Sequence, residues 1–472
     1  MTKGCFINNT WVETPEKLAV LNPWFGATVG EVSLAGDQEW EAAITAAQKA
    51  AVAFKSFSSL ERKQMLEKMA AGVENRQEEL ARMIVAEGGK PVTYARVEMA
   101  RGAFTFSLAA EEAARIGGEV LPLDLNAATR GRWGLTRRFP IGPVLAISPF
   151  NFPFNLVAHK VGPALAAGNP IIVKPASATP ITALLMAEIY EQAGLPPGGL
   201  QVLPSSSRVA EKYVADNRLK ALSFTGSAAV GWHLKSIAGR KKVILELGGN
   251  AACIVDADAD LELAAQRAAI GAFCQAGQVC IAVKRLLVHQ EIYEPFKAIF
   301  LKVLKEKVRA GDPCLEETVV GPFIDHEAAA KVRQRVQEAI DAGAGLAAGG
   351  LGEGPLMPPT VLEKVNREMA VWREEVFGPV VVLAPFKDFA QALEMANDTV
   401  YGLQAGVFTK DLAHAWQAFE TLEVGGVILN DSPVFRVDSM PYGGVKTSGF
   451  GREGLRYAIE ELTEMRLLAV NV

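Results

Sequence analysis

From residue 141 onward, short β-rich runs alternate with helical stretches, and this alternation limits the possible folds more than any other feature of the chain. The runs GPVLAISPF, NPIIVKPAS, LQVLPSS, LKALSFTGS and KKVILELGG each read as a strand ending in small or turn-forming residues. Between them lie helical stretches such as 181–193 and 208–216. Strand and helix in this order predict a parallel sheet with helices on both faces. Ligands of such sheets bind beyond the carboxyl ends of the strands, so chemistry is expected at these polar, Gly-rich ends.

A second α/β run begins near Asn250 with AACIVDADAD and continues to about residue 440, with strands at KRLLVHQ, PVVVLAPF and GGVILN. Upstream, 38–56 and 60–87 carry apolar residues at helical spacing and predict helices. Segments 130–138 (RGRWGLTRR) and 464–472 (EMRLLAVNV) alternate polar and apolar residues outside both runs. They predict an extra sheet, since a strand that ends the chain needs a partner edge, and this sheet is expected to be completed by another subunit. AGAGLAAGGLGEG (342–354) reads as a flexible loop. A chain of 472 residues exceeds one compact core and implies two or three domains.

The formal net charge of −5, with no Lys/Arg block, argues against nucleic acid or an anionic membrane as the main partner. No apolar run approaches the roughly 18–20 residues that span a bilayer. The start MTKGCFINNT lacks the pattern of a secretory signal, so the expected location is cytoplasmic. Cys5, Cys253, Cys274, Cys280 and Cys314 are odd in number and scattered, which is not a disulfide framework. The histidines are isolated, and no metal site is expected.

Three residues carry possible chemistry on their own terms. Cys280 follows the Gly-Gln-rich turn of FCQAGQVCIAVKR and precedes a strand; it is either an exposed nucleophile or a small buried hydrophobe. Glu246, in the apolar strand end VILELGGN, is a desolvated general base, a paired carboxylate, or a strand residue on a polar face. Asn151, in SPFNFPF, is an oxyanion-stabilising amide or a turn residue.

The motifs PFNFP, FTGS, ELGGN, GQVC, EEVFGP and PYGGVKTSGFGREG occur in the order and spacing of the aldehyde dehydrogenase superfamily, over about residues 5–470. The chain resembles the hydrolytic lactaldehyde and succinate-semialdehyde dehydrogenases of that family. The resemblance implies a Rossmann-like parallel-sheet cofactor domain (1–120 and 141–248) and an α/β catalytic domain (249–440). It also implies a small β oligomerisation element (121–140 and 455–472) and a homodimer or homotetramer. It assigns Cys280 as nucleophile, Glu246 as water-activating base and Asn151 as oxyanion amide. Lys160 matches a lysine that relays protons, with a helix-surface charge as the alternative.

The cofactor implied is NADP or NAD. Lys174 matches the lysine that bonds the adenosine ribose. Ser177 stands where NAD-specific members carry Glu, which removes repulsion of a 2′-phosphate, and Arg208 is a partner for that phosphate or a solvated helix-start residue. Gly226 and Ser227 correspond to the pyrophosphate side, Glu375 and Phe377 to the nicotinamide ribose and ring, and Ile147, Phe150 and Leu247 to the same groove. Phe152, Phe154 and Tyr442 are expected as apolar walls of the aldehyde tunnel. Arg436 and His159 replace commonly aromatic lining residues. A guanidinium there favours a small polar or anionic aldehyde, unless Arg436 turns away to pair with an acid such as Asp438. A coenzyme A-acylating enzyme is disfavoured by Glu246, and a non-catalytic relative by the presence of both Cys280 and Glu246.

Overall fold

The computed structural model describes residues 2–471; Met1 and Val472, the outermost positions of the segments 1–120 and 455–472, lie outside it. The β-rich runs after residue 141 form Val144–Ile147, Ile171–Lys174, Leu200–Val202, Ala221–Thr225 and Lys242–Glu246. All pair in parallel. The first three step outward in one direction from Val144–Ile147, and the last two step outward in the other. The direction of winding therefore reverses between Val144–Ile147 and Ala221–Thr225, which opens a crevice at their carboxyl ends.

Two additions extend this sheet to eight strands. The hairpin Cys5–Ile7 and Thr10–Val12 joins antiparallel at the Leu200–Val202 edge. At the other edge Gly449–Phe450 pairs antiparallel with Leu245–Glu246. That second pairing brings the segment around PYGGVKTSGFGREG over the strand end that carries Glu246.

Helix Asp37–Phe54 matches the expected 38–56. The helix expected over 60–87 is instead two, Ser59–Asn75 and Gln77–Gly88, divided at Arg76 (φ −120°, ψ 18°). The Arg76 guanidinium pairs with Glu79 and Glu188, holding the bend while Leu80 and Ile84 turn into the core. Helix Val92–Arg115 then runs across the buried helix Asn155–Ala167.

The second sheet has seven strands, in the order Gly345–Ala348, Thr360–Glu363, Val380–Phe386, Val283–His289, Ala251–Val255, Gln404–Phe408 and Gly426–Leu429. The loop expected at 342–354 thus contributes an antiparallel edge strand, because Gly345–Ala348 supplies the free backbone that Thr360–Glu363 needs on its outer side.

Arg132–Pro140 and Thr463–Asn471 pair with each other over nine positions, from Arg132↔Asn471 to Pro140↔Thr463, and Val120–Pro122 completes a third sheet. Leu455–Glu461 is not part of this β element. It is a helix whose Leu455 and Ile459 sink into the core of the first sheet. Among the described residues no helix is long and apolar enough to cross a membrane.

Candidate active site

The strand ends place the site. The in-register pairs Ile147↔Lys174, Phe224↔Ile147 and Thr225↔Glu246 set the SPFNF, FTGS and ELGGN termini along one sheet edge. Facing them, the second unit brings the GQVC turn and the EEVFGP loop. Between the two lies a cleft of about 540 Å³.

Phe150, Asn151, Phe152, Gly226, Ser227, Glu246, Leu247, Cys280, Glu375, Phe377, Arg436 and Tyr442 all line this cleft. Cys280 is half-buried there. The Gly pair of ELGGN explains how the halves approach: a Cβ on Gly249 would collide with the Cys280 carbonyl, and one on Gly248 with the Glu375 carboxylate. The Gly249 N–H donates to Glu375 Oε1 at 3.0 Å.

Cys280 Sγ lies 3.4 Å from Tyr442 Oη. Burial pushes the thiol up to about 11; the Tyr442 hydroxyl and the Arg436 charge pull it down, and Glu375 and Glu246 oppose them. The resting sulfur is thus a thiol, so thiolate grows about tenfold per pH unit across neutrality. Alkylation of Cys280 by iodoacetamide is expected to accelerate about 100-fold between about pH 7 and pH 9, with no plateau. Tyr442→Phe removes a hydrogen bond to the thiolate and slows alkylation at every pH; a plateau near neutrality, or faster reaction in the variant, would contradict this.

Asn151 is buried. Its Nδ2 donates to the Gln278 backbone carbonyl at 3.0 Å, and its backbone carbonyl accepts from Gln275 Nε2. Asn151 lines the cleft with Cys280, and its Oδ1 is buried without a hydrogen-bond partner. Both Glu246 oxygens are buried without a hydrogen-bond partner. Burial raises this carboxyl well above the carboxylate range, and Glu453 raises it further, against the charges of Arg436, Lys160 and Arg452.

Seven expected residues stand off the cleft lining. Ile147 packs into the apolar core beneath the sheet edge, because its side chain falls on the helix-covered face. Lys160 is not a surface charge: its buried ammonium donates to Ser223 Oγ, Thr225 Oγ1 and Glu453 Oε1 at 3.1, 2.7 and 3.0 Å. His159 is buried behind Arg436, its Nε2 2.8 Å from Asp438 Oδ1, and burial lowers its pKa. Lys174 is buried at its strand end, donates to the Pro175 carbonyl at 2.9 Å and is pushed down to about 8 by burial. Ser177, in the turn that follows, and Arg208, at the start of helix Ser207–Val214, are exposed. Phe154, expected as a tunnel wall, lies in the core against Gly102 instead.

Arg436 does both things that the sequence left open. It lines the cleft, stacked 3.6 Å from the Tyr442 ring centroid, and its Nη2 pairs with Glu453 Oε2 at 3.0 Å and contacts His159 Nδ1 at 3.2 Å. Its acid partner is thus Glu453, not Asp438; Asp438 holds His159 and Arg101.

The sequence profile of the aldehyde dehydrogenase family matches residues 11–468. The chain belongs to the aldehyde dehydrogenase family. It is an NAD(P)-dependent oxidoreductase acting on an aldehyde group. It is 45% identical to 3-sulfolactaldehyde dehydrogenase of Priestia aryabhattai over 99% of this chain and 98% of that protein. Aldehyde dehydrogenase 21 from Physcomitrella patens, in complex with the reaction product succinate, superposes with a TM-score of 0.97 at 45% identity, covering 100% of this chain and 98% of that one. Glyceraldehyde-3-phosphate dehydrogenase from Methanocaldococcus jannaschii, complexed with NADP, superposes with a TM-score of 0.93 at 38% identity, covering 97% and 100%.

The crevice of this aldehyde dehydrogenase fits a dinucleotide. Ser227 starts helix Ala228–Ile237 without a side-chain cap, so the N–H groups of its first turn are left for an anion. Farther along, Phe150 and Phe377 meet edge to face at 6.0 Å beside the Glu375 carboxylate.

Sequence reading missed the residues that hold this machinery. Glu98 ion-pairs with Lys90 and accepts the N–H groups of Phe154 and Asn155 at 2.9 and 3.0 Å, capping the helix that follows PFNFP. Lys90 lies 3.7 Å from the Phe152 ring centroid. Gln278 accepts from Ile324 N–H and donates to the Pro322 carbonyl, anchoring the turn before Cys280. Arg101 lines the cleft as a second cation near Arg436. Glu98 falls on the buried face of helix Val92–Arg115, the one available signal, whereas Lys90 and Glu453 lie in loops and carry none.

Proposed function

We propose that this aldehyde dehydrogenase oxidises a small polar or anionic aldehyde to the free carboxylic acid through a thioester on Cys280. The observation that carries the reading is that Cys280, the Asn151 side-chain amide, the unpartnered Glu246 carboxyl and the Arg436 guanidinium line one cleft. The Cys280 sulfur loses its proton and bonds the aldehyde carbon. The carbonyl oxygen takes the negative charge, facing Asn151 Nδ2 and the Cys280 backbone N–H. A bound dinucleotide supplies the hydride acceptor, leaving an acyl group on sulfur. Glu246, once deprotonated, takes a proton from water as its oxygen bonds the acyl carbon; the C–S bond then breaks and the acid leaves. Lys160 lies close enough to lower the Glu246 pKa, which suits a role in passing protons between Glu246, Thr225 and Glu453.

Three features support an anionic substrate. Arg436 and Arg101 both reach the cleft, and Arg436 Nε is buried without a partner. The relatives above carry the names of sulfolactaldehyde, succinate and glyceraldehyde-3-phosphate chemistry. Arg436→Leu is expected to lower kcat/KM for anionic aldehydes about 10- to 100-fold more than for neutral ones, the worth of a hydrogen bond to a charged group, beyond any loss that both share. A panel of small aldehydes assayed with NAD and NADP separately tests this, and equal losses for both classes would defeat it.

NADP is accepted because Ser177 puts no carboxylate beside the Lys174 strand end. Ser177→Glu is expected to shift the NADP/NAD ratio of kcat/KM toward NAD by at least about tenfold through charge repulsion. The dinucleotide-binding part is 1–120 with 141–248, and the catalytic part is 249–440. Met465, Leu467 and Leu468 lie exposed on the Thr463–Asn471 edge strand, which supports a homodimer or homotetramer. Free cysteines without disulfides suit a cytoplasmic location.

A further inference from the structure

One buried cation sits where two loops of the site touch. Lys284 lies in the strand Val283–His289, whose other residues up to Val288 are almost all apolar, and it is 3% exposed. Its ammonium donates to the Gly277 carbonyl and to the Gly378 carbonyl, each at 2.9 Å. Gly277 belongs to the turn that delivers Cys280. Gly378 directly follows Phe377 in the loop that presents Glu375. The two backbones are in contact there, since a Cβ on Gly277 would collide with the Gly378 carbonyl.

The nucleophile turn needs such a clamp. Gln275, Ala276 and Gly277 are consecutive left-handed residues, with φ of 53°, 56° and 62°. Side chains disfavour that conformation, and it persists only where the surroundings over-determine it. A buried ammonium is itself costly without partners. Among the described residues Lys284 has no carboxylate within ion-pair distance, so the two carbonyls are what compensate it. Burial pushes its pKa down to about 8, with the Glu375 charge opposing.

We propose that Lys284 is a positioning residue for hydride transfer, locking the Cys280 turn and the Glu375–Phe377 loop into one register. The assignment rests on the reading of Cys280 as nucleophile and of Glu375 and Phe377 as the grip on the dinucleotide. The carbon held on sulfur and the ring held by the second loop must meet at contact distance, and a misplacement of about 1 Å costs roughly 100-fold in rate.

The test compares Lys284→Met, which keeps volume and removes both donors, with Lys284→Gln, whose shorter amide reaches one carbonyl, and Lys284→Arg, which retains donors for both. Val303→Ala, on helix Tyr293–Lys307, which contributes no residue to the cleft lining, serves as a destabilised control. Two readouts are used: the dissociation constant for NADP from titration, and the primary isotope effect on kcat with aldehyde deuterated at the reacting carbon. Lys284→Met is expected to weaken NADP binding at least about tenfold and to raise the isotope effect, because misaligned hydride transfer becomes rate-limiting. Lys284→Arg restores both to within about threefold, and Val303→Ala changes neither. Should Lys284→Met fail to fold, Lys284→Gln is read in the same way. Unchanged NADP affinity and isotope effect in the folded variants overturn the proposal. If Cys280→Ala retains activity, the underlying reading falls instead; if it is inactive while the Lys284 variants match wild type, only the role of Lys284 is lost.

Discussion

Cys280→Ala is expected to lower aldehyde oxidation by about 10⁴-fold or more while leaving dinucleotide affinity within about threefold. Two thiols line the cleft, Cys274 and Cys280, and Cys280 is the one that meets the Tyr442 hydroxyl and feels the Glu246 charge. Its neighbours Tyr442, Asn151 and Glu246 cannot substitute for it: the first is a phenol whose pKa burial raises well above its usual value, the second an amide, the third a carboxyl. Alanine leaves a void of one sulfur atom at a half-buried position, so folding is little affected. The decisive measurement is reduced-dinucleotide formation alongside a binding titration. Activity within about tenfold of wild type would show that the aldehyde is oxidised without covalent capture.

Glu246→Gln is expected to separate the two halves of the reaction. The first turnover should proceed and release about one reduced dinucleotide per subunit, since hydride transfer precedes the need for a base. Steady-state turnover should then fall about 10²- to 10⁴-fold, the range for loss of a positioned general base. Mass spectrometry should find the acyl group on Cys280. The pH dependence follows from the same carboxyl. Burial raises the Glu246 pKa, so the protonated form prevails at low pH and thioester hydrolysis accelerates as pH rises and the proton is lost. In Glu246→Gln that dependence should vanish. A variant with no burst and unchanged steady-state rate would remove Glu246 from the mechanism.

Much of the fold was legible because its signals are local. Apolar runs such as VLAI, IIVK and VILE sit next to the small residues that end them, and burial on both faces of a parallel sheet demands such runs. The same locality made FTGS, ELGGN and GQVC readable, since a strand end, a Gly pair and a turn are each a few residues long. The division at Arg76 was not legible, because the bend is held by Glu188, 112 residues away. Nor was the edge strand Gly345–Ala348, whose glycine and two alanines carry no strand preference and pair only because Thr360–Glu363 has an open side.

The sequence by itself determined that the chain forms two parallel sheets and which residues stand at their carboxyl ends, since these depend on hydrophobic runs and turn residues near one another in the chain. Only the tertiary structure decided what each polar group meets. Gly449–Phe450 closing on Leu245–Glu246 carries Glu453 onto Lys160, 293 residues away, and onto Arg436. Glu98 reaches the helix after PFNFP, 56 residues on, and Lys284 reaches Gly378, 94 residues on. Charges buried among apolar neighbours must find partners, but which partner is set by sheet pairing and helix packing across long loops, and no local pattern encodes that.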